Sequence, residues 1–409
     1  TIGADINEEL VDSINAGKFP LKDEPGYEDI FNSVRKNDNF SATTDINGAI
    51  SKSNLILLSL PTPMDKNNIP TYLALESVGK QLSKYLQSNS LVVVESTIEP
   101  GFIEDVMIKR MEIDSRLQVG KNFTIGVCPE NANPGEILHD FTSLPRLVGG
   151  IDEQTTKIIA LIYDFVFSVE LVTMPDCKTA NAVKLTTNVF RDVNIAFVNE
   201  LSLMFEKLGI DTLKVLDAAK RKYNFQIHYP GAGVGGPCLP INSYQFLNTA
   251  KRIGSELNII KHGRAINEKM PDHVINLTLD GFKKCNKSIK DSTLLILGVS
   301  YKPDVKDIQL SPAEIIIKKL KALGAKIRIY DPYYKDNQVF GINVEHDIQD
   351  VLSEVDASII VTAHKEFQEI NPKIFTKMKT PILIDSRGII DISSANNAGL
   401  VFRGLGRSV

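Results

Sequence analysis

The chain has 409 residues, of which 43% are hydrophobic and 23% are charged, and its formal net charge is -4. This length predicts about two or three domains, and the slightly acidic balance excludes the basic surface on which nucleic-acid binding depends. No apolar run approaches the ~20 residues of a membrane span, so we expect neither a membrane nor a nucleic-acid partner. The four cysteines lie far apart without a CxxC pair, which argues against disulfides and zinc. We therefore expect a cytoplasmic protein without a bound metal.

The chain opens with a short predicted strand that ends in an acid. Residues 1–5 fit this strand, and Asn7 is placed to cap a helix that Gly17 ends. Such an acid is typical of the second strand of a dinucleotide-binding fold, where it contacts ribose hydroxyls. The GxGxxG loop that should lie about 20 residues earlier is absent. Asp5 is therefore either a neighbour of the helix cap, or the ribose ligand of a fold whose first strand and glycine-rich loop are missing here.

Strands and helices then alternate regularly. Apolar runs predict buried strands at 54–60, 91–95 and 123–128, and two more at 146–150 and 169–173. Polar or rigid residues follow the first three strands: Ser59, Pro61 and Thr62, then Ser96 and Thr97, then Glu130. Because open parallel sheets bind ligands at the carboxyl ends of their strands, these residues are candidates for a binding site. The alternatives are local, since Ser96 and Thr97 can cap a helix and Glu130 can lie in solvent.

A helical pattern without a breaker runs from about residue 176 to residue 208. At 1.5 Å per residue it predicts a rod of about 50 Å, which suits a spine between α/β regions and a subunit interface. Its apolar stripe consists of Val183, Phe190, Phe197, Leu201 and Leu208. Lys184, Asn188 and Arg191 stand at i, i+4 and i+7 and share one face. This face is either solvated or a site where a lysine and an amide hold an oxyanion.

A glycine-rich segment follows at residues 230–242. Its glycines, which let the backbone approach a ligand closely, are Gly231, Gly233, Gly235 and Gly236. Cys238 comes directly after them. It is either a small buried thiol in a turn or a nucleophile placed against a bound molecule.

A second α/β alternation follows a polar break at residues 288–291. Apolar runs predict a helix at 312–323 and strands at 293–297, 326–330, 358–361 and 381–384. Lys302 and Arg387 lie just past strand ends, where open sheets bind anions; each is otherwise a surface charge. The expected fold class is α/β: two doubly wound Rossmann-like domains, residues 1–174 and 288–409, joined by a central domain of long helices, residues 175–287.

Together these motifs resemble the UDP-glucose/GDP-mannose dehydrogenase family across the whole chain. The segments that carry the resemblance are residues 184–197, 199–201, 230–240, 297–303, 311–312, 330–332 and 385–388. The family oxidises the C6 alcohol of a nucleotide sugar to a carboxylate with two NAD. The resemblance therefore implies NAD as cofactor and a UDP-N-acetyl-hexosamine as substrate, with the mannosamine sugar favoured. UDP-N-acetyl-glucosamine and UDP-glucose are the alternative substrates. It also implies a homodimer through the long helix and a product used for polysaccharides.

The resemblance also implies roles for single residues. Cys238 would trap the C6 aldehyde as a thiohemiacetal and then carry a thioester. Lys184 and Asn188 would hold the C6 oxygen, and Glu130 would position the water for hydrolysis. The residues implied for nucleotide-sugar binding are Arg191, Lys302, Arg387, Gly231, Gly233, Gly235 and Gly236. Those implied for the NAD site are Asp5, Ser59, Pro61, Thr62, Ser96 and Thr97.

The chain departs from the family pattern at several positions. Asn242, a further catalytic candidate, replaces an Asp that would serve proton transfer, and an amide cannot accept a proton. Asn181 replaces a Glu, Pro237 replaces a His, and Gln309 replaces an Arg that would help to bind NAD. A nucleotide-sugar-binding homologue with little or no catalysis is therefore the alternative. Because the glycine-rich loop is absent, we also expect weak NAD binding until an upstream segment restores that loop.

Overall fold

The computed structural model describes residues 1–409 except residues 22, 23, 25, 38, 114, 116, 134, 336, 408 and 409. The chain divides into two compact units. The first contains Thr1–Thr187 and Tyr244–Ser255, and the second contains Asn188–Ser243 and Glu256–Val409. Of the three division points, two fall inside the helices at residues 177–208 and 239–252, the third follows the latter helix, and none coincides with a predicted boundary. The division into three domains stays a prediction.

The described part of the first unit contains seven strands, five of which form one sheet. Its strands are β1 (Ile2–Ala4), β2 (Ser41–Thr43), β3 (Leu55–Leu58), β4 (Ser90–Val94), β5 (Phe123–Val127), β6 (Arg146–Gly150) and β7 (Leu171–Thr173). Its helices are α1 (Glu8–Asn15), α2 (Tyr27–Lys36), α3 (Ile46–Ser51), α4 (Leu73–Tyr85), α5 (Ile108–Ile113), α6 (Ile137–Ser143) and α7 (Glu153–Phe167), with a π-helical turn at Ile103–Met107. The sheet has the order β3-β4-β5-β6-β7. All five residues of β4 are buried, as expected of an apolar strand covered on both faces.

One pair of strands in this sheet differs from the simple parallel arrangement that we expected. Strands β5 and β6 are antiparallel, with Gly126 opposite Gly150, whereas the other neighbours are parallel. The consequence is that β6 begins at the edge of the sheet where β5 ends. A residue at the start of β6 therefore lies beside the loop that follows β5.

The first strand lies in a sheet of its own. Strands β1 and β2 pair in parallel, with Ile2 opposite Ser41. Among the described residues, the strand that pairs with β3 is β4, and Leu55 and Leu57 of β3 remain 42% and 48% exposed. Whether a further strand covers that edge stays a prediction.

The second unit contains another five-stranded sheet. The remaining strands are β8 (Thr293–Leu297), β9 (Lys326–Tyr330), β10 (Gln338–Val339), β11 (Ile342–Asn343), β12 (Ala357–Ile360), β13 (Ile382–Asp385) and β14 (Val401–Gly404). The remaining helices are α8 (Cys177–Leu208), α9 (Thr212–Ala219), α10 (Leu239–Arg252), α11 (Asn258–Lys284), α12 (Pro312–Ala322), α13 (Ile348–Leu352), α14 (Lys365–Gln368) and α15 (Ile392–Asn397), with a 3-10 turn at Pro372–Lys377. The sheet is parallel, in the order β14-β13-β12-β8-β9. The α/β class and the long helix are confirmed.

Helix α10 begins directly after Cys238. The N–H of Asn242 donates to the carbonyl of Cys238 at 2.9 Å, so the first turn starts directly after the cysteine. Pro240 lies in that turn, where a missing N–H costs no helical hydrogen bond. None of the helices in the described part of the chain combines the length and hydropathy that a bilayer crossing requires.

Candidate active site

The loops after β3 and β4 are joined by side-chain hydrogen bonds in the first unit. The Ser96 hydroxyl accepts from the N–H of Leu60 at 2.8 Å and donates to its carbonyl at 2.7 Å. The Thr62 hydroxyl donates to the Thr97 carbonyl at 3.0 Å. The structure thus brings together three residues that the sequence places at a cofactor site, Thr62, Ser96 and Thr97.

The other candidate cofactor residues are exposed. The Ser59 hydroxyl donates to Oε2 of Glu95 at 2.6 Å. Pro61, two residues after Ser59, is also exposed. The exposed carboxylate of Asp5 accepts from the N–H of Asn7 at 2.8 Å, and Asn7 caps α1. Asp5 is thus a neighbour of the helix cap, and its second oxygen stays accessible for a ribose.

Glu130 is held by three donors. Its Oε1 accepts from the N–H groups of Asn131 and Ala132 at 2.6 and 2.7 Å, and Nη2 of Arg146 lies 3.3 Å from Oε2. The side chain is 36% exposed. Both carboxylate oxygens thus have fixed partners, although part of the side chain remains in solvent.

Lys184 lies beside the loop that carries Glu130. Its Nζ donates to Oδ1 of Asn131 at 2.9 Å, and only 8% of the residue is exposed. An ammonium is rarely buried without a polar partner, so a solvated face does not describe this position. One turn earlier, Asn181 is 1% exposed, and its side-chain oxygen and nitrogen have no hydrogen-bond partner among the described residues.

In the second unit, α8 and α10 meet through two buried amides. Nδ2 of Asn188 donates to Oδ1 of Asn242 at 2.6 Å, and the two residues are 8% and 2% exposed. Arg191, by contrast, is exposed. The polar face predicted for α8 therefore changes character along its length, from buried groups to a cation in solvent.

Cys238 is the exposed cysteine of the described residues, whereas Cys128 and Cys177 are buried. It stands directly before α10, where unpaired N–H groups give the helix a partial positive charge that favours an anion. Burial raises the pKa of the Cys128 thiol to about 12, and burial also raises that of Cys177. The reading of Cys238 as a small buried thiol is wrong.

Gly235 and Gly236, before Cys238, are required by packing within the second unit, and Gly231 approaches the end of a flexible side chain of that unit. A Cβ on Gly231 would lie 2.1 Å from Nη1 of Arg387, and one on Gly236 would lie 2.6 Å from the ring of Tyr301. Gly235 approaches the Leu310 carbonyl, which a Cβ would meet at 2.4 Å. These glycines thus let the loop contact other parts of its own unit closely.

A buried polar network holds the same loop, and the sequence analysis missed it. The Asp192 carboxylate accepts from Nη1 of Arg264 at 2.9 Å, Nδ2 of Asn267 at 2.8 Å and the hydroxyl of Ser243 at 2.6 Å. Asn199 then donates to Asn267 and accepts from the N–H of Gly231, both at 2.9 Å. Polar side chains at helix positions otherwise expected to be apolar were the available signal.

The loop that carries Lys302 is fixed by a buried acid and histidine. Oδ2 of Asp331 accepts from the N–H of Val299 at 2.8 Å and lies 3.1 Å from Nε2 of His364. Nδ1 of His364 accepts from the N–H of Asp304 at 3.0 Å, so the ring proton belongs on Nε2. Burial alone would raise the pKa of Asp331, but the contacts with His364 and the backbone donors hold it below the ordinary 3.8. Lys302 lies between these anchors and is partly buried.

Arg387 follows β13 in a second anchored loop. Its N–H and that of Gly388 donate to Oδ1 of Asp385 at 2.9 and 2.8 Å. Burial lowers the pKa of the Arg387 guanidinium. A guanidinium in such surroundings favours a phosphate or carboxylate ligand.

Mainly parallel sheets with polar residues at the carboxyl ends of their strands are typical of α/β nucleotide-binding proteins. Three models of one family match the chain: the NAD binding domain over residues 1–166, the central domain over 178–269, and the UDP binding domain over 295–392. The chain belongs to the UDP-glucose/GDP-mannose dehydrogenase family. It is an NAD-dependent oxidoreductase of UDP-sugars.

Individual relatives span nearly the whole chain. The UDP-N-acetyl-D-mannosamine dehydrogenase of Pyrococcus horikoshii is 30% identical over 408 residues, covering 99% of this chain and 93% of the relative. Protein CapL of Staphylococcus aureus is 30% identical over 98% of this chain and 93% of its own length. The solved structure of the Pyrococcus horikoshii UDP-D-ManNAc dehydrogenase superimposes with a TM-score of 0.91 at 30% identity, covering 100% of this chain and 93% of that one.

Proposed function

We propose that the chain oxidises the C6 hydroxyl of UDP-N-acetyl-D-mannosamine to the carboxylate in two hydride transfers. The observation that carries this proposal is Cys238, an exposed thiol at the start of α10 on a loop whose glycines pack against Arg387 and Tyr301. The dehydrogenase of Pyrococcus horikoshii supports the choice of sugar.

The residues of the first unit fit part of NAD. The exposed Asp5 carboxylate at the end of β1 suits ribose hydroxyls, and Ser59 and Pro61 are exposed after β3. Thr62, Ser96 and Thr97 belong to the hydrogen-bonded loops after β3 and β4. When bound, NAD accepts the hydrides that leave C6. The described residues of this unit contain no glycine-rich loop after a strand, so none of them is assigned to the pyrophosphate.

The chain's own residues would carry the chemistry around those transfers. The Cys238 thiolate adds to the C6 aldehyde, and the resulting thiohemiacetal loses a hydride to give a thioester. Water then bonds to the acyl carbon, the C–S bond breaks, and the carboxylate and the thiol are released. Lys184 and Asn188 hold the C6 oxygen and stabilise its negative charge, and Glu130 orients the water.

Cations of the second unit would bind the nucleotide diphosphate. Arg191 is exposed, Lys302 is partly buried on an anchored loop, and Arg387 follows β13. Guanidinium groups bind phosphate through paired N–H donors, so Arg387 is the stronger candidate. The backbone of Gly231, Gly233, Gly235 and Gly236 would lie along the sugar.

The proposal includes a homodimer through α8 and a cytoplasmic location. Phe190, Phe197 and Met204 recur every seven residues on α8 and are 48%, 48% and 47% exposed, which suits an apolar contact with a second copy. The free cysteines suit a reducing compartment.

Substitution of Cys238 by Ser tests the nucleophile. The variant should stall after the first oxidation, because a serine hydroxyl is hard to ionise and its ester hydrolyses slowly. NADH absorbance in the presence of UDP-N-acetyl-D-mannosamine measures this, and Cys285→Ser, at a partly buried thiol of the same unit, should retain two NADH per sugar. Steady formation of two NADH by Cys238→Ser would sink the assignment.

A second candidate function is nucleotide-sugar binding with little catalysis, which Asn242 favours. The Asn242→Asp variant keeps the acceptor for Nδ2 of Asn188 and adds a group that can take a proton. We expect steady-state NADH formation to rise at least about tenfold. If calorimetry shows that the parent binds the UDP-sugar, and neither protein forms NADH, the binding function is the better supported one.

Comparison of UDP-N-acetyl-D-mannosamine with UDP-N-acetyl-D-glucosamine tests which sugar is the substrate. The Salmonella typhi 6-dehydrogenase for the second sugar is 30% identical over 78% of this chain and 76% of its own length.

A further inference from the structure

Arg146 is a buried cation that has no role in the sequence motifs or in the proposed chemistry. It is the first residue of β6, and only 6% of its side chain is exposed. Strand β6 runs antiparallel to β5, with Gly126 opposite Gly150. If this register is extended past the end of β5, Arg146 lies opposite Glu130 in the loop that follows β5. Its Nη2 lies 3.3 Å from Oε2 of Glu130.

Three aromatic rings surround the guanidinium. Its central carbon lies 4.4 Å from the ring centroid of Phe141, 4.1 Å from that of Phe167 and 5.6 Å from that of Tyr163. Rings at these distances attract a cation through their negative faces and fix its plane. The three rings therefore hold the guanidinium in one orientation.

The guanidinium of Arg146 has few hydrogen-bond acceptors around it. Its Nε has no hydrogen-bond partner among the described residues, and its Nη1 reaches the Cys128 sulfur at 3.9 Å. A buried guanidinium with so few acceptors is costly unless a carboxylate compensates its charge. Glu130 supplies that carboxylate, and its remaining partners are backbone N–H groups of its own loop.

The same region is tied to the loop after β3. The Tyr163 hydroxyl donates to Oε1 of Glu95 at 2.5 Å, and Glu95 also accepts from Ser59. Tyr163 therefore has both a cation on its ring and a carboxylate on its hydroxyl, which restricts its motion. The rings around Arg146 thus belong to a fixed part of the first unit.

We infer that Arg146 is a positioning residue for Glu130, aiming its carboxylate at the water that hydrolyses the thioester. This inference rests on the proposed function, because it concerns only the hydrolytic step. Loss of the guanidinium would leave Glu130 with backbone donors to Oε1 and a free Oε2. The carboxylate would then sample several orientations, and only some of them would direct the water to the acyl carbon.

The test compares Arg146→Met with Arg146→Lys, Glu130→Gln and the Arg146→Met/Glu130→Gln pair. Methionine fills the aromatic surroundings without a charge, and lysine restores the charge. In Arg146→Met we expect both NADH to form in the first turnover and later turnovers to slow by about tenfold or more. The KM for the UDP-sugar should fall along with the rate, because slow hydrolysis retains the sugar as acylated Cys238, which mass spectrometry should detect. Arg146→Lys should recover part of the rate.

The double variant separates positioning from a structural role. If Arg146 acts through Glu130, the double variant should be no slower than Glu130→Gln alone. Additive losses, or equal slowing of all steps without acylated Cys238, would overturn the inference. If Arg146→Met does not fold, Arg146→Lys and its pair with Glu130→Gln provide the same comparison. A parent that forms no NADH at all would instead reject the proposed function.

Discussion

At the residue scale, two separate features of position 236 require a glycine. Its φ is +89°, a region that costs other residues about 1–2 kcal/mol, and the Tyr301 ring occupies the place of a Cβ. Gly209 of the same unit has a φ of +71° and nothing within 4 Å of a Cβ. Gly236→Ala should therefore destabilise by about 2–4 kcal/mol, and Gly209→Ala by about 1 kcal/mol, in urea unfolding. Equal effects would show that the Tyr301 ring moves away freely.

The cysteines should differ sharply in reactivity. Cys238 is exposed, whereas burial raises the pKa of Cys128 to about 12 and leaves little thiolate to react. Iodoacetamide at mildly alkaline pH should alkylate Cys238 first and reach Cys128 and Cys177 only after denaturation. Peptide mass mapping over time measures the order. Labelling of Cys128 ahead of Cys238 would contradict the structure.

At the element scale, the exposed stripe of α8 predicts the subunit contact. Phe197→Glu places a charge at the middle of that stripe, where its burial against a second copy would be costly. We expect light scattering to report a dimer for the parent and a monomer for this variant at micromolar concentration. Leu161→Glu on α7 is the matched control, because Leu161 is 71% exposed and lies outside α8. A dimer that resists Phe197→Glu would have to use another surface.

The helices around the glycine-rich loop depend on Asp192. The residue is 1% exposed and pairs with buried Arg264, so Asp192→Asn removes the buried carboxylate of that pair and leaves Arg264 with the partly exposed Glu268. We expect a loss of about 3–5 kcal/mol in the free energy of unfolding. Asp217→Asn, at a pair whose side chains are 49% and 57% exposed, should cost less than about 1 kcal/mol. Urea titrations of both variants provide the comparison, and similar losses would argue against the network as an anchor.

At the scale of the whole molecule, acid stability should depend on Asp331. The folded state holds the pKa of this buried acid below 3.8, so its contribution is present above that pH and is lost as pH falls through the folded value. Asp331→Asn should therefore be most destabilising near neutral pH, by about 1–3 kcal/mol, and progressively less so below about pH 4. Circular dichroism of urea unfolding at several pH values measures this trend. A cost that stays constant with pH would refute the role of its charge.

The sequence by itself determined the elements and the chemical candidates. Apolar runs located the five strands of the first sheet and four of the second, because a strand buried on both faces requires such a run locally. The edge strand β14 (Val401–Gly404) was not predicted. Helix α8 was predicted within one residue of its observed start, since one uninterrupted periodic pattern specifies it. Cys238 and the glycines before it were equally visible, because a motif is contiguous in the chain.

Tertiary structure decided what those candidates contact. The antiparallel β6 brings Arg146 to Glu130, and no pattern within either strand specifies the direction of its neighbour. Gly235 meets the Leu310 carbonyl, far along the chain, and this backbone contact explains the glycine better than any local turn does. Lys184 is buried beside Asn131 although its spacing equally fits a solvated face. Periodicity reports burial along one segment, whereas partners distant in sequence follow from strand order, direction and packing, which only the folded chain fixes.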